Sequence, residues 1–282
     1  MKKSQKKAQV PSRAIAIIGG GNIGVALAKG LAASGTLTPS QITITRRHPE
    51  ALQHLAEQGY RIRSGNIEAV QNTDVIVIAV LPQQLVEVLQ EIQTSLEPGR
   101  HLVVSLVSGV SIEEIQKHIG TDIAVVRAMP NTAIAIRESM TCLCANKGSD
   151  VSLGIARELF DAVGKTLIIS EEHMTPATAL CACGIAFFLR AIRAASQGGI
   201  EIGFHPDEAL LMAAQTAKGA ASLLLGADSH PESQIDRVTT PRGCTIAGLN
   251  RMEHEGFSSA MIKGIVTSAE KAAVLYVAPN TH

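Results

Sequence analysis

Gly19-Gly20-Gly21-Asn22-Ile23-Gly24 satisfies the spacing G-x-G-x-x-G and stands between an apolar run, AIAIIG, and a helical pattern, VALAKGLAASG. Glycines at this spacing permit a tight turn and a close approach of backbone N–H groups to a pyrophosphate at a helix N-terminus. Alone the spacing is a weak signal. Between a strand and a helix at the head of an alternating domain it points to a bound dinucleotide, with Gly19, Gly21, Asn22, Ile23 and Gly24 as the cradle.

An NAD site ordinarily offers an acidic side chain about 20 residues further on, at the end of the second strand, to bond the ribose 2′-OH. Here the run QITIT leads into Arg46-Arg47. Two guanidiniums suit a 2′-phosphate, so NADP(H) is favoured and NAD(H) is possible; the bland alternative is a solvated pair at a strand end. Two more apolar runs end in the same manner, one on Ala79-Val80-Leu81-Pro82 and one on Met129-Pro130-Asn131-Thr132. Ligands of open α/β sheets sit at the C-terminal ends of the strands, so these ends, with SLVSG, are expected to line one crevice, Asn131 facing the nicotinamide half.

The elements that position these residues read as a doubly wound α/β domain over residues 13–170. Seven short runs (AIAIIG, QITIT, DVIVIAV, HLVVSLV, IAVVRAM, TCLCA and TLIIS) alternate with helix-length segments. Continuous apolar runs of this kind indicate a parallel sheet covered on both faces. Pro98-Gly99 marks a turn, and Ser111-x-x-Glu114 a helix start. After Ser170 no strand pattern follows. A long helical stretch, a restart at His205-Pro206-Asp207-Glu208, an Ala/Leu-rich segment and a final helix from about Ser258 to Val277 make the last third all-helical. Its small-residue faces suit close packing, internally or across a dimer.

With 25 Lys+Arg against 25 Asp+Glu, the chain carries no bulk positive field for a nucleic acid or an anionic membrane. Residues 1–12, with the basic MKKSQKK, read as a flexible, solvated tail, since polar AQVPS follows where a signal peptide needs an apolar run. No window of about 18 residues is free of charged or strongly polar side chains, so a soluble, cytoplasmic protein is expected. The five cysteines are an odd number and read as reduced thiols. The spacing Cys142-x-Cys144 puts both thiols on one face of a strand; with Cys181-x-Cys183 it is not the usual zinc knuckle, and no metal is assigned. The nine histidines are scattered singly, and His101, His205 and His230 look like turn or strand-edge residues.

The motifs IGGGNIG, AVLPQQ, VRAMPNT, ALCACGIAF and DRVTTPRGCTIAGL occur in the order found in the pyrroline-5-carboxylate reductases, and the chain resembles that family from about Ala14 onward. The resemblance implies a Rossmann domain, a helical dimerisation and substrate domain over 171–282, and NAD(P)H-dependent reduction of the cyclic imine 1-pyrroline-5-carboxylate to proline by a homodimer or larger homo-oligomer. It also implies a substrate loop at Thr240, Gly243, Cys244 and Thr245, whose N–H groups would hold the substrate carboxylate while the Thr245 hydroxyl meets the ring nitrogen. Glu171 matches a substrate-side position and Asn66 a cofactor contact. A plain helix N-cap is the structural alternative for Thr245.

The chain departs from the family pattern at Cys181, Cys183 and Ile185, where the family has Ser, Ser and Pro. It departs again at Leu81 (Lys in the family), Ala133 (Pro) and Arg242 (Gly). These positions leave open a reductase of another cyclic imine or ketone, or a catalytically silent NADP-binding protein.

Overall fold

A computed structural model describes residues 14–226 and 230–275; the tail assigned to residues 1–12 and the expected end of the last helix at Val277 lie outside them. Eight strands form one sheet: β1 Ile15–Ile18, β2 Ile42–Thr45, β3 Arg61–Arg63, β4 Val75–Ile78, β5 Leu102–Ser105, β6 Ala124–Met129, β7 Ser139–Ala145 and β8 Gly164–Ile168. Their order, β3-β2-β1-β4-β5-β6-β7-β8, begins with the Rossmann sequence 3-2-1-4-5-6 and extends it by β7 and β8 beyond β6. β1, β2, β4 and β5 are buried at every position, as strands covered on both faces must be.

Successive side chains on a strand point to opposite faces, and the core divides accordingly. Ile15, Ile17, Ile42, Ile44, Val75 and Val77 pack on one side with Leu27, Leu31 and Phe160. Ile18, Ile76, Ile78, Val103 and Val125 pack on the other with Leu85, Leu89, Ile115 and Met174. The covering helices are α1 Asn22–Ser34, α2 Gln53–Ala56, α3 Asn66–Gln71, α4 Leu85–Ile92, α5 Ile112–Ile119 and α6 Asp150–Asp161. The Ser111 hydroxyl accepts from the Glu114 N–H at 3.1 Å and so caps α5.

The structure corrects two expectations about the sheet. β3, whose sequence is only Arg-Ile-Arg, is a strand that no apolar run announced. β7 pairs antiparallel with β6, so the sheet is mixed, and the outer strand β8 leaves Leu167 and Ile168 exposed rather than covered on both faces.

After β8 the chain is helical throughout the described residues: α7 Met174–Ala177, a π-helical turn Thr178–Cys183, α8 Gly184–Glu201, α9 Pro206–Leu225, α10 Pro231–Val238, α11 Cys244–His254 and α12 Phe257–Ala273. Two compact units result, Cys183–Ser268 forming the second. In the first, Met174 and Ala177 join the core beside Cys142 and Cys144, the two thiols expected on one strand face. In the second, Gly199 brings α8 against α9, since a Cβ there would lie 3.0 Å from that of buried Ala209. His205 and His230 occupy helix N-cap positions, whereas His101 is buried with Nδ1 accepting from the Glu97 N–H at 2.8 Å.

Candidate functional site

The glycine turn divides into residues the fold needs and one it does not. Gly19 has φ +110°, and a side chain there would run into the Ala79 carbonyl; one at Gly24 would run into the carbonyl of Gly19. Gly20 is bounded by Leu52 and Ile44. Gly21 has an ordinary φ of −87° and nothing within 4 Å of where its Cβ would be. Neither strain nor packing requires a bare backbone at Gly21, and the open space beside it at the head of α1 fits a pyrophosphate.

The N–H groups of Gly19 and Gly20 both donate to Thr45 O, at 3.2 and 2.8 Å, and so tie the turn to β2 rather than facing a ligand. The N–H groups at the head of α1, from Asn22 onward, are the ones an anion would meet.

This turn opens on a cleft of about 590 Å³ at the C-terminal ends of β1, β2 and β4. Gly19, Gly21, Asn22, Ile23, Arg46, Arg47, Asn66, Ala79, Val80 and Leu81 line it, as expected of strand ends in an open sheet. Gly24 and Pro82 lie outside the wall: Gly24 serves packing, and Pro82 opens the short 3-10 turn after Leu81. Thr132, at the strand end expected to reach the crevice, lines it too, and the wall also contains Thr45, His48, Ser64, Gln84 and Val88, which no sequence pattern singled out. Ser64 directly follows β3, so identifying that strand would have found it.

The two arginines hold different partners. Arg46 Nη1 donates to Gly20 O at 2.9 Å and braces the turn, while Arg47 Nη2 pairs with Glu87 Oε2 at 2.8 Å in an exposed ion pair. Asn66 accepts from the Thr45 hydroxyl at 2.6 Å and donates to Glu91 at 2.6 Å. Leu81, 64% exposed, stands in the wall where the family pattern has a Lys.

Asn131 is outside the cleft wall, although its neighbour Thr132 is in it. Its side-chain oxygen accepts from the Ala133 N–H at 3.0 Å, and its amide donates to Cys181 O at 3.2 Å. Its place is therefore to hold the turn after β6. That turn lies on α1, where a side chain at Gly30 would collide with Ile134 O.

Glu171 also turns inward. Its Oε1 accepts from the Ile112 N–H at 2.7 Å and pairs at 3.0 Å with Arg127, whose side chain is 5% exposed. The pair joins β6, the head of α5 and the start of the helical segment.

In the second unit, Gly243 N donates to Thr240 O at 2.9 Å and closes a tight turn with Pro241 and Arg242 at its corners. Arg242 has φ +60°, in the left-handed region where glycine is the easy occupant, so the family's glycine position survives as a conformation after its residue has changed. Gly243 is the N-cap of α11, and no side chain caps that helix. The structural alternative for Thr245 is thereby corrected: it is the second residue of α11, not its cap. Cys244 is exposed. Among the described residues, no three His, Cys, Asp or Glu side chains converge as metal ligands would.

Family models match both parts of the chain: NADP oxidoreductase coenzyme F420-dependent over residues 14–109, and pyrroline-5-carboxylate reductase dimerisation over 171–275. Pyrroline-5-carboxylate reductase 1 of Dictyostelium discoideum is 52% identical over 274 residues, covering 93% of this chain and 50% of that relative, so the chain spans about half that relative's length. Pyrroline-5-carboxylate reductase 2 of the same organism is 49% identical over 283 residues, 94% of each chain. Among solved structures, a pyrroline-5-carboxylate reductase from Coxiella burnetii superposes with a TM-score of 0.84 at 30% identity, covering 94% of this chain and 99% of that one. The Plasmodium falciparum pyrroline carboxylate reductase with NADP bound shares the fold, with a TM-score of 0.85 at 24% identity over 94% and 98%. With 49% identity over 94% of the second relative's length, and the cleft and glycine turn in agreement, the chain belongs to the pyrroline-5-carboxylate reductase family.

Proposed function

We propose that this chain reduces the C=N bond of 1-pyrroline-5-carboxylate with NADPH to give L-proline, and so serves proline biosynthesis. The observation that carries the reading is the cleft at bare Gly21, in a chain that matches a pyrroline-5-carboxylate reductase over 94% of both lengths. When bound, NADPH supplies the hydride.

The protein's own groups bind and orient. The N–H groups at the head of α1 take the pyrophosphate, Arg46 and Arg47 take the 2′-phosphate, and Val80 and Leu81 give the cleft an apolar flank. The Thr240–Thr245 turn takes the substrate carboxylate on its N–H groups, and the Thr245 hydroxyl meets the ring nitrogen. A cyclic imine protonated on nitrogen is already electrophilic at carbon, so orientation replaces a strong acid from the enzyme. Glu171 fixes Arg127 and the head of α5.

The partner we assign is a second copy of the chain, giving a homodimer or larger homo-oligomer, with neither nucleic acid nor membrane. The helical run Glu171–Glu201 is, by length and composition, apolar enough to cross a membrane, with a mean hydropathy of 1.6. Its first part instead buries Met174, Ala177 and Ala179 in the protein, and its exposed Phe188 and Leu189 fall within the match to the dimerisation model. We read these as subunit-contact residues. All five cysteines are free thiols, which suits the cytoplasm.

The test is NADPH oxidation with 1-pyrroline-5-carboxylate and with an imine acid one ring carbon larger, proline being identified by mass. Fast turnover of the smaller ring is the expected result. Turnover of the larger ring alone indicates a pocket retuned through Arg242 and the cysteines; NADPH binding without turnover of any cyclic imine overturns the enzyme reading.

A further inference from the structure

Two cysteines meet at a place the proposed chemistry does not use. Cys142 on β7 is buried, 3% exposed, and Cys181 on the π-helical turn Thr178–Cys183 is partly exposed. Their sulfurs are 3.9 Å apart. We propose that Cys142 and Cys181 are a redox modification site that peroxide converts reversibly to a disulfide, and that the disulfide weakens cofactor binding through Asn131.

The geometry asks for little movement. A disulfide needs its sulfurs at about 2.05 Å, so the gap closes by less than the width of one atom. Cys142 is fixed in the sheet, whereas Cys181 sits on a π turn, a rare form that concentrates where function needs an adjustable backbone.

The two thiols also differ in reactivity. The hydrogen bond between the two sulfurs holds the Cys181 thiol down at about 7. The same bond, with burial, holds Cys142 far above its ordinary value. Cys144, pushed up to about 11 chiefly by burial, is a thiol at neutral pH. Cys181 is the sulfur peroxide can reach, being partly exposed while Cys142 is buried, so Cys181 attacks and Cys142 resolves.

The Cys181 thiolate attacks one peroxide oxygen, the O–O bond breaks, and the released hydroxide takes a proton to become water. The Cys142 sulfur then attacks the resulting sulfenic sulfur and gives its proton to the departing oxygen. The S–O bond breaks as the S–S bond forms, and a second water leaves. The thiol pair loses two electrons, and one peroxide gains them.

The link to the cleft is the 3.2 Å hydrogen bond from the Asn131 amide to Cys181 O. Asn131 also organises the start of the turn whose first residue, Thr132, lines the cleft. Drawing Cys181 toward Cys142 moves that carbonyl and releases Asn131. Loss of one such bond corresponds to roughly fivefold weaker NADPH binding.

The experiment exposes the full-length protein to hydrogen peroxide, quenches with catalase, alkylates the remaining thiols and maps the peptides. NADPH affinity is measured by fluorescence titration on the same samples. We expect a linked Cys142–Cys181 peptide and roughly fivefold weaker binding, both reversed by dithiothreitol and both lost in Cys181→Ser. Cys142→Ala should behave alike; if replacing this core residue prevents folding, the partly exposed Cys181 variant still decides. The proposal is overturned if both thiols stay alkylatable, if the cross-link leaves NADPH affinity unchanged, or if peroxide weakens binding equally in Cys181→Ser. The cross-link is read by mass and does not depend on the enzyme reading; failure of the reduced protein to bind NADPH would sink the cofactor assignment instead.

Discussion

The sheet unit and the helical unit satisfy their apolar residues differently. In the sheet, β1, β2, β4 and β5 are buried at every position by helices of the same chain. In the helical unit, Phe188 is 59% exposed, Leu211 70% and Ile262 62%, on helices with few buried positions of their own. Apolar side chains left open on several helices are what an interface exposes when only one of its copies is considered. The cofactor unit buries its strands within one chain, and the helical unit carries the apolar surface on which the proposed second copy would sit.

The largest effect should come from breaking that second half of the comparison. Leu211→Glu combined with Ile262→Glu places carboxylates where we assign the subunit contact, and a buried, unpaired charge costs about 3–5 kcal/mol. Sedimentation should show dissociation at micromolar protein with NADPH binding retained. An unchanged oligomer would mean that the contact lies elsewhere; a monomeric wild type would remove the comparison itself.

The next effect separates packing from binding inside the glycine turn. Gly24→Ala drives a methyl into the Gly19 carbonyl and should lower stability by about 1–3 kcal/mol. Gly21→Ala meets open space, so its melting temperature should stay near that of the wild type while NADPH affinity falls about tenfold, the share of a ligand pressed against that backbone. Equal melting losses in both variants would show that Gly21 is as structural as Gly24.

What the sequence revealed follows the same division. The glycine turn and the buried strands were legible because a strand covered on both faces must be apolar throughout, and runs such as VIVI have few other readings. β3 escaped because Arg61 and Arg63 are exposed on an edge strand and leave no apolar run. The direction of β7 escaped because periodicity carries no polarity, although Pro130–Glu138 is shorter than the dozen or so residues that a parallel crossover requires. The division of labour at Arg46-Arg47, the inward turn of Glu171 and the Cys142–Cys181 approach depend on tertiary contacts between distant segments, and no local pattern encodes them.

The arginine pair offers an effect of similar size that sharpens the cofactor side. Arg46 braces Gly20 as well as lining the cleft, so Arg46→Ala should weaken both nucleotides, NADPH more than NADH because the 2′-phosphate contact is lost as well. Arg47 has only its exposed pairing with Glu87, so Arg47→Ala should cost NADPH alone, by about 1.5–3 kcal/mol for a lost charge-assisted bond to phosphate. Parallel titrations with the two nucleotides decide this; equal losses for both cofactors in Arg47→Ala would remove the phosphate-clamp assignment.

The smallest effect on stability belongs to the turn of the helical unit, where strain and substrate choice meet in one residue. Arg242 sits at φ +60° between Pro241 and Gly243, the corner of a turn in which glycine is usual. A left-handed conformation costs an L-residue about 1–2 kcal/mol, part of which the greater chain entropy of glycine takes back, so Arg242→Gly should raise stability by about 0.5 kcal/mol. If the guanidinium also shapes the pocket, the same variant should turn over 1-pyrroline-5-carboxylate faster; if it points only to solvent, stability alone will change. Thr245→Ala in the same background isolates the hydroxyl. The N-cap of α11 is Gly243, so removing the Thr245 hydroxyl takes no cap from the helix and should leave stability and NADPH affinity near those of the parent. Turnover should nonetheless fall roughly 5- to 150-fold, the worth of one oriented hydrogen bond at about 1–3 kcal/mol. Should turnover survive intact on every imine that the parent reduces, this turn is not where the substrate binds.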